Sequence, residues 1–126
     1  MNVVDSSGWL EFFANADNAG FFSKAIQDTS QLIVPTLSLF EVFKRILQQR
    51  GENDALLAIA TMQQGQVVDL TPSLALAAAK LSASEHLPLA DSVILTTARA
   101  YHATLWTQDV DFKGKANVRY IEKHQQ

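Results

Sequence analysis

Short apolar runs alternate along the chain with longer stretches in which apolar residues recur every three or four positions. A short run bounded by turn residues is typical of a buried strand, and the longer repeat is typical of an amphipathic helix. The pattern predicts strands at 3–4, 32–34, 67–70 and 104–107, with a fifth at 118–121. It predicts helices at 9–13, 17–28, 36–50, 53–64, 71–86 and 90–102.

Glycine and proline residues fix several boundaries of these elements. Gly51 ends the helix 36–50, and Thr71 followed by Pro72 provides a cap and a first-turn proline for the helix 71–86. Pro35 stops the second strand, and the two helices between 36 and 64 are expected to form a hairpin that turns at Gly51.

Strands that alternate with helices indicate parallel βαβ units. We therefore predict an α/β fold, a three-layer α/β/α sandwich with a central parallel sheet of four to five short strands. The 126 residues are expected to form one domain, 1–126. Ligands of such sheets bind beyond the carboxyl ends of the strands, where Asp5 and Asp109 fall.

Composition narrows the functional classes. The apolar fraction of 48% is enough for a core, and the net charge of −3 gives no basic footprint for nucleic acid over the whole chain. The absence of cysteine excludes disulfides, zinc–thiolate sites and cysteine nucleophiles. The sequence has neither a signal-peptide pattern nor an apolar run of roughly 20 residues, so we expect a cytoplasmic protein without a membrane segment.

Other catalytic patterns are missing from the sequence. The three histidines do not show the i, i+4 spacing of a zinc helix, and helix-end or surface roles explain them better. The isolated glycines form no phosphate-binding loop, and no nucleophile elbow is present.

Four acids stand beside core-forming segments: Asp5, Glu41, Asp91 and Asp109, with Asp111 next to the last. Carboxylates brought together in a partly dry site repel one another, and each is costly to desolvate. If the fold gathers them, a divalent metal ion is the obvious neutralising partner. Carboxylate oxygens without histidine or cysteine are hard ligands, which suit Mg²⁺ or Mn²⁺.

Each acid also has a structural explanation. Asp5 is able to cap the helix that follows it, although Ser6 and Ser7 serve equally well. The Asp109-Val110-Asp111 segment after a strand is typical of a turn.

Glu41 has two structural explanations. It fits a capping box that begins at Ser38, and it lies within helical pairing distance of Lys44 and Arg45. A helix that begins at Thr36 would instead place Glu41 in the second turn.

Asp91 has the weakest structural explanation. It lies in the first turn of its helix, where the dipole favours a negative charge. Ile94, Leu95 and Ala98 follow it at helical spacing, so the side chain is expected to face inward without an obvious basic partner.

Four short motifs occur in order along almost the whole chain. They are Val3-Val4-Asp5-Ser6-Ser7, then Val34-Pro35-Thr36 leading to Leu39-Phe40-Glu41-Val42, then Leu87-Pro88-Leu89-Ala90-Asp91-Ser92, and finally Thr107-Gln108-Asp109-Val110-Asp111-Phe112. In these motifs the chain resembles the PIN domain family, and within it the VapC-type toxins of bacterial toxin–antitoxin pairs. The third and fourth motifs are the most specific.

The resemblance implies a metal-dependent endoribonuclease. Asp5, Glu41, Asp91 and Asp109 match the catalytic and metal-binding acids of the family, and Thr107 and Asp111 match accessory positions. As a hypothesis, Asp5 and Asp91 are the principal ligands of Mg²⁺ or Mn²⁺, and Ser6 and Thr107 support the site by hydrogen bonds. The resemblance also implies a VapB-like antitoxin as partner, an RNA substrate and a homodimer.

Basic residues would guide RNA by its backbone. The candidates are Lys44, Arg45, Arg99, Lys113 and Lys115, and a place on a solvated face is the alternative for each. The main rival to a nuclease is a non-catalytic module that uses its acidic cluster to bind the arginines of a partner. A haloacid-dehalogenase-type phosphatase is disfavoured because Asp109 lies too near the end of the chain, and a response-regulator receiver because Asp5 has no acidic neighbour.

Overall fold

The structure, a computed structural model, describes residues 1–124. Within them, five strands form one sheet: β1 Asn2–Val4, β2 Leu32–Pro35, β3 Gln66–Val68, β4 Thr104–Thr107 and β5 Val118–Tyr120. The α-helices are α1 Ser6–Phe13, α2 Ala19–Gln27, α3 Thr36–Arg50, α4 Glu52–Met62, α5 Pro72–Glu85 and α6 Leu89–Ala100. Two short 3₁₀ helices span Thr29–Gln31 and Val110–Phe112.

The strands are ordered β3-β2-β1-β4-β5, and every neighbouring pair is parallel. The first strand along the chain is therefore the central one. The chain builds the sheet outward from β1 to β3 on one side, then crosses over to add β4 and β5 on the other. The reversal leaves a crevice at the carboxyl ends of β1 and β4, which is where ligands bind in sheets of this kind.

Both faces of the sheet are apolar, because successive strand residues point to opposite sides. Val4 and Trp106 contribute to one core cluster, which α1 to α4 cover, whereas Val3 and Leu105 contribute to a second cluster under α5 and α6. Burial on both faces explains why the central strands β1, β2 and β4 are mostly apolar along their length, whereas the edge strands β3 and β5 are partly exposed. The predicted three-layer α/β/α sandwich with a parallel sheet is confirmed.

The helix boundaries follow the local signals closely. Gly51, at φ +93°, ends α3 and allows α4 to fold back against it, so the predicted hairpin is present. The side chain of Thr71 accepts a hydrogen bond from the Leu74 amide and caps α5. The third strand differs from the prediction, since β3 begins at Gln66 and ends at Val68.

One of the structural explanations for Glu41 is wrong. The helix α3 begins at Thr36, and Pro35 occupies the cap position without a side-chain hydrogen bond. Ser38 lies inside the helix, where its buried hydroxyl has no hydrogen-bond partner in the described chain. Ser38 therefore cannot start a capping box, and Glu41 lies in the second turn. Within residues 1–124, every helix falls short of the length and apolar character that a bilayer crossing requires.

Candidate active site

A cleft of about 630 Å³ opens at the carboxyl edge of the sheet, in the crevice between β1 and β4. The first turns of α1 and α6 and the second turn of α3 converge on it, and each brings an acid or the residue beside one. Asp5, Glu41, Asp91 and Asp109 all line this cleft, together with Ser6, Ser7, Phe40, Lys44, Arg45 and Ile94. The fold thus gathers four acids that are up to about a hundred positions apart in the sequence.

Asp5 links β1 to α1 and is held by several donors. Its backbone amide donates to the Trp106 carbonyl at 3.2 Å, and its side chain caps α1. Oδ1 accepts from the Gly8 amide at 2.9 Å and from the Ser7 hydroxyl at 2.9 Å, and Oδ2 accepts from the Thr107 hydroxyl at 2.7 Å. Asp5 is therefore the helix cap and a wall of the cleft at once.

Burial raises the pKa of Asp5 to about 6, although three hydrogen bonds oppose the rise. The donors are Thr107, Gly8 and Ser7, each of which favours the ionised carboxylate. The negative charge of Asp109 adds a smaller upward contribution. The same three hydrogen bonds hold the carboxylate of Asp5 in one orientation.

Thr107 joins the end of β4 to the acidic turn. Its hydroxyl donates to Asp5 and accepts from the Asp109 amide at 2.9 Å, so it links the two acids through one oxygen atom. Asp109 in turn caps the 3₁₀ helix Val110–Phe112, where its Oδ1 accepts from the Asp111 amide at 2.9 Å. The turn explanation for Asp109 is therefore correct, and it is compatible with a place in the cleft.

Asp91 lies half-buried in the first turn of α6. Asp91, Asp109 and Asp111 each offer a carboxylate oxygen, and these three atoms lie within 4.8 Å of one another. Burial is the largest cause that raises the pKa of Asp91 to about 7, followed by the charges of Asp109, Asp111, Asp5 and Glu41. Asp111, which the sequence ranks only as support, belongs to this tight group.

Glu41 faces the cleft from α3. The Ser6 hydroxyl donates to its Oε1 at 2.6 Å, which joins α3 to the start of α1. Neither Lys44 nor Arg45 forms an ion pair with Glu41 in the described chain, so the pairing explanation also fails.

The five candidate RNA-guiding residues divide into two groups. Lys44 and Arg45 line the cleft itself, and the ammonium of Lys44 lies 5.8 Å from the centre of the Phe40 ring. The other three have structural contacts: Arg99 donates to the Ala116 carbonyl, Lys113 lies over the Tyr120 ring, and Lys115 forms an ion pair of 2.6 Å with Glu85. The Lys115 hydrogen bond lowers the pKa of Glu85.

Several residues behind the acids went unnoticed in the sequence. Gly8 packs so closely that an added Cβ would lie 2.6 Å from Phe22 and 2.7 Å from Val4. Its position three residues after Asp5 is the only sequence signal, since a cap side chain bonds the third helical amide. Gln108, Asn18 and Glu11 form a polar network that no local pattern indicates, because Asn18 and Gln108 are 90 positions apart.

The donor set fits a hard divalent cation. It consists of carboxylates alone, and within residues 1–124 no lysine, arginine or histidine pairs with any of the four cleft acids. Burial, followed by the charges of the neighbouring acids, raises the pKa of Asp91, and a cation held by these oxygens would favour the ionised carboxylate. Mg²⁺ and Mn²⁺ are the cations that prefer such oxygen ligands.

Comparison with known proteins gives a family and a set of similar folds. The sequence model of the PIN domain matches residues 3–118 of the chain. No curated protein sequence gives a match.

Three solved structures share the fold over more than nine-tenths of both chains. A toxin–antitoxin complex from Klebsiella pneumoniae gives a TM-score of 0.78 at 19% identity, covering 94% of this chain and 96% of that one. VapC20 of Mycobacterium tuberculosis, a sarcin–ricin loop cleaving toxin, gives 0.76 at 16%, covering 92% and 95%. VapBC2 from Rickettsia felis, bound to a DNA fragment from its promoter, gives 0.74 at 12%, covering 96% and 97%. At these identities the likeness is one of fold.

Proposed function

The chain belongs to the PIN domain family, and from this membership we propose that it is a metal-dependent endoribonuclease that acts as the toxin of a toxin–antitoxin pair. One observation carries the proposal: the oxygens of Asp91, Asp109 and Asp111 lie within 4.8 Å of one another, beside a cleft that Asp5 and Glu41 also line. We treat residues 1–126 as a single PIN domain, since the family match spans almost all of it.

In the proposed site Asp5, Glu41, Asp91 and Asp109 hold Mg²⁺ or Mn²⁺, with Asp111 in support. An ion held there would supply Lewis-acid chemistry, polarising the scissile phosphate and lowering the pKa of the attacking water. The protein supplies the fixed geometry.

Three hydroxyls orient the acids of this site. Ser7 and Thr107 hold the carboxylate of Asp5, and Ser6 holds Oε1 of Glu41. Such support keeps the ligands in place before substrate arrives, which lowers the cost of reorganisation during the reaction.

RNA is the proposed substrate, and its backbone is the part that the cleft contacts. Lys44 and Arg45 lie at the rim beside the acids, where they are placed to bind phosphates that flank the scissile one. Phosphate contacts position a nucleic acid but carry little sequence information. VapC20, one of the similar folds, is a sarcin–ricin loop cleaving toxin, which supports RNA as the substrate class.

A VapB-like antitoxin is the proposed partner. Similar folds occur in a toxin–antitoxin complex and in VapBC assemblies. A second groove, of about 590 Å³, lies between α1 and the α3–α4 hairpin, and it combines apolar side chains such as Leu10 and Ile46 with Arg45 and Arg50. A homodimer is also proposed, and the cytoplasm is the compartment where RNA and partner would meet the protein.

The proposal is tested by incubating the purified protein with cellular RNA and MgCl₂ or MnCl₂. We expect cleavage that chelator abolishes and that Asp91→Asn removes, while Asp69→Asn, an exposed acid outside the cleft, leaves the rate unchanged. Full activity in excess chelator contradicts the metal role. Tight binding of an arginine-rich partner without any cleavage favours the rival binding module.

The toxin role needs a separate experiment in cells. Induced expression is expected to arrest growth, and Asp91→Asn is expected to relieve the arrest. Co-expression of a VapB-like protein encoded beside this chain is expected to relieve it as well. Unchanged growth on induction of active enzyme contradicts the toxin role and leaves the nuclease proposal standing.

A further inference from the structure

Gln108 occupies an unusual place between two parts of the acidic site. It follows Thr107, which bonds Asp5, and precedes Asp109, yet its own side chain is turned away from the cleft. Only 5% of Gln108 is exposed. A buried amide requires hydrogen-bond partners, and here they come from α1 and the start of α2.

The amide of Gln108 is satisfied at both ends. Its Oε1 accepts from Asn18 Nδ2 at 2.9 Å, and its Nε2 donates to Glu11 Oε1 at 3.3 Å and, at the longer distance of 3.5 Å, to the Ser7 carbonyl. Asn18 is 2% exposed, and its backbone amide donates to Glu11 Oε2 at 2.9 Å. Glu11 thus uses one carboxylate oxygen for each neighbour.

These bonds tie the acidic turn to the helix that Asp5 caps. Ser7 and Glu11 belong to α1, and Ser7 also donates to Asp5. Gln108 belongs to the turn that carries Thr107 and Asp109. The network therefore links the segment that carries Asp5 to the segment that carries Asp109 by hydrogen bonds, on the side away from the cleft.

We propose that Gln108 is a positioning residue, which with Glu11 and Asn18 sets the placement of Asp109 relative to Asp5. This inference rests on the proposed metal-dependent cleavage. Displacement of a ligand by as little as 1 Å costs up to about 100-fold in rate, so a network beside two ligands has a measurable effect on metal binding and turnover. The polarity of the bonds matters, because Gln108 must donate to Glu11 and accept from Asn18.

The test exchanges the amide and the carboxylate between positions 108 and 11. Gln108→Glu removes the Nε2 donor and places a second carboxylate beside that of Glu11. We therefore expect kcat and Mn²⁺ affinity each to fall about tenfold. Glu11→Gln leaves one acceptor too few and is expected to cause a smaller loss. The double variant Gln108→Glu/Glu11→Gln restores a donor and its acceptors, and it is expected to recover kcat to within about threefold of the wild type.

Two further variants keep the test decisive. Gln108→Met keeps the length of the side chain without adding charge, and it replaces Gln108→Glu if that variant fails to fold; its kcat is also expected to fall about tenfold. Ser82→Ala is the control: it removes the hydrogen bond that the Ser82 hydroxyl in α5 donates to the Leu87 carbonyl. This variant is expected to leave kcat and Mn²⁺ affinity unchanged. Circular dichroism checks that each variant is folded at the assay temperature.

The outcomes separate the two proposals. If wild type binds Mn²⁺ and cleaves RNA, and the folded Gln108 variants match it in both, the positioning role is overturned and the nuclease stands. A loss in Gln108→Glu that Glu11→Gln does not repair also overturns the inference, since polarity is then irrelevant. If wild type neither binds Mn²⁺ nor cleaves RNA, the proposed function fails and the inference fails with it.

Discussion

The two walls of the acidic cleft carry the same chemical group in opposite settings. On the β1–α1 wall, Asp5 is buried and accepts hydrogen bonds from Gly8, Ser7 and Thr107. On the α6 wall, Asp91 is half-buried, and no hydrogen bond to its carboxylate is found in the described chain. Both pKa values are raised, to about 6 for Asp5 and about 7 for Asp91.

The two acids differ in whether their neighbours oppose or reinforce the rise in pKa that burial causes. At Asp5 the donors stabilise the ionised carboxylate and partly offset its desolvation. At Asp91 the neighbouring acids add their repulsion to the desolvation, and nothing in the described chain offsets it. The carboxylate of the first wall is therefore stabilised by hydrogen bonds, whereas burial and the neighbouring acids both disfavour the ionised carboxylate of the second.

The sharpest test of this contrast is to neutralise each acid in turn. Asp91→Asn and Asp5→Asn are each expected to lower kcat for metal-dependent RNA cleavage by about 100-fold or more, since both remove a proposed ligand. Their effects on stability are expected to differ in size. Asp91→Asn relieves desolvation and repulsion and raises the free energy of unfolding at pH 7.5, whereas Asp5→Asn relieves desolvation but disturbs the bond from Thr107, so its net effect is expected to be smaller.

Urea unfolding of the metal-free variants at pH 7.5 measures that difference. Asp69→Asn, exposed and outside the cleft, is the matched control and is expected to change neither quantity. A destabilised Asp91→Asn, or an Asp5→Asn that stabilises the protein as much as Asp91→Asn, contradicts the contrast between the walls.

Gly8→Ala disturbs the packing of the β1–α1 wall without changing its charge. The new methyl group would lie 2.6 Å from Phe22 and 2.7 Å from Val4, so α1 must shift against its neighbours. We expect a loss of about 1–3 kcal/mol in unfolding free energy. Because the Gly8 amide bonds Asp5, activity is expected to fall as well. Gly20→Ala, where the added methyl meets nothing within 4 Å, is the control and is expected to be neutral or slightly stabilising in α2.

The pH dependence of stability tests both walls together in the metal-free protein. The folded-state pKa values of about 6 and 7 lie above the ordinary value of 3.8, so the folded protein binds more protons between about pH 4 and pH 7. By linkage, the contribution of these acids to stability falls as the pH rises through that window. Allowing for solvent screening at the half-buried Asp91, we expect roughly 1–2 kcal/mol less stability from this acid at pH 7.5 than at pH 5.

Asp91→Asn should flatten most of this profile, and saturating Mn²⁺ should raise the stability of the wild type at pH 7.5 by mass action. Thermal melts at several pH values, with and without Mn²⁺, provide the measurement. If Asp91→Asn leaves the dependence of stability on pH unchanged, the fold does not raise the pKa of Asp91.

The smallest effect on stability and on kcat is expected from substitution of Ser6. Ser6→Ala removes the hydroxyl that donates to Glu41 at 2.6 Å across a partly exposed gap between α1 and α3. We expect a loss of no more than about 1 kcal/mol in stability, with kcat reduced about threefold and KM unchanged. Ser6→Thr keeps the hydroxyl and should restore kcat. A tenfold rise in KM would assign Ser6 to substrate binding instead.

Periodicity was sufficient to predict most of the fold, because the central strands β2, β1 and β4 are buried on both faces and most helices carry an apolar stripe. The run 104–107 and the helix 36–50 match the observed β4 and α3 residue by residue. The order of the strands could not be predicted from periodicity, since it depends on which edges pair across the whole chain.

The candidate acids were found as motifs, whereas their surroundings were not. Nothing local distinguishes Asp111 as a close neighbour of Asp91, and nothing local links Gln108 to Asn18. Structural explanations also proved compatible with a place in the cleft, as Asp5 and Asp109 both cap helices there. Sequence reasoning treated those roles as alternatives, but a carboxylate has lone pairs enough for both.

The central position of β1 has a consequence for how the protein is made. Asp5 is synthesised 102 positions before Thr107, its partner across the crevice. Until β4 is synthesised and docks beside β1, the acids cannot be assembled into one site. The acidic cleft is therefore incomplete until the turn after β4 has been synthesised and has folded against β1.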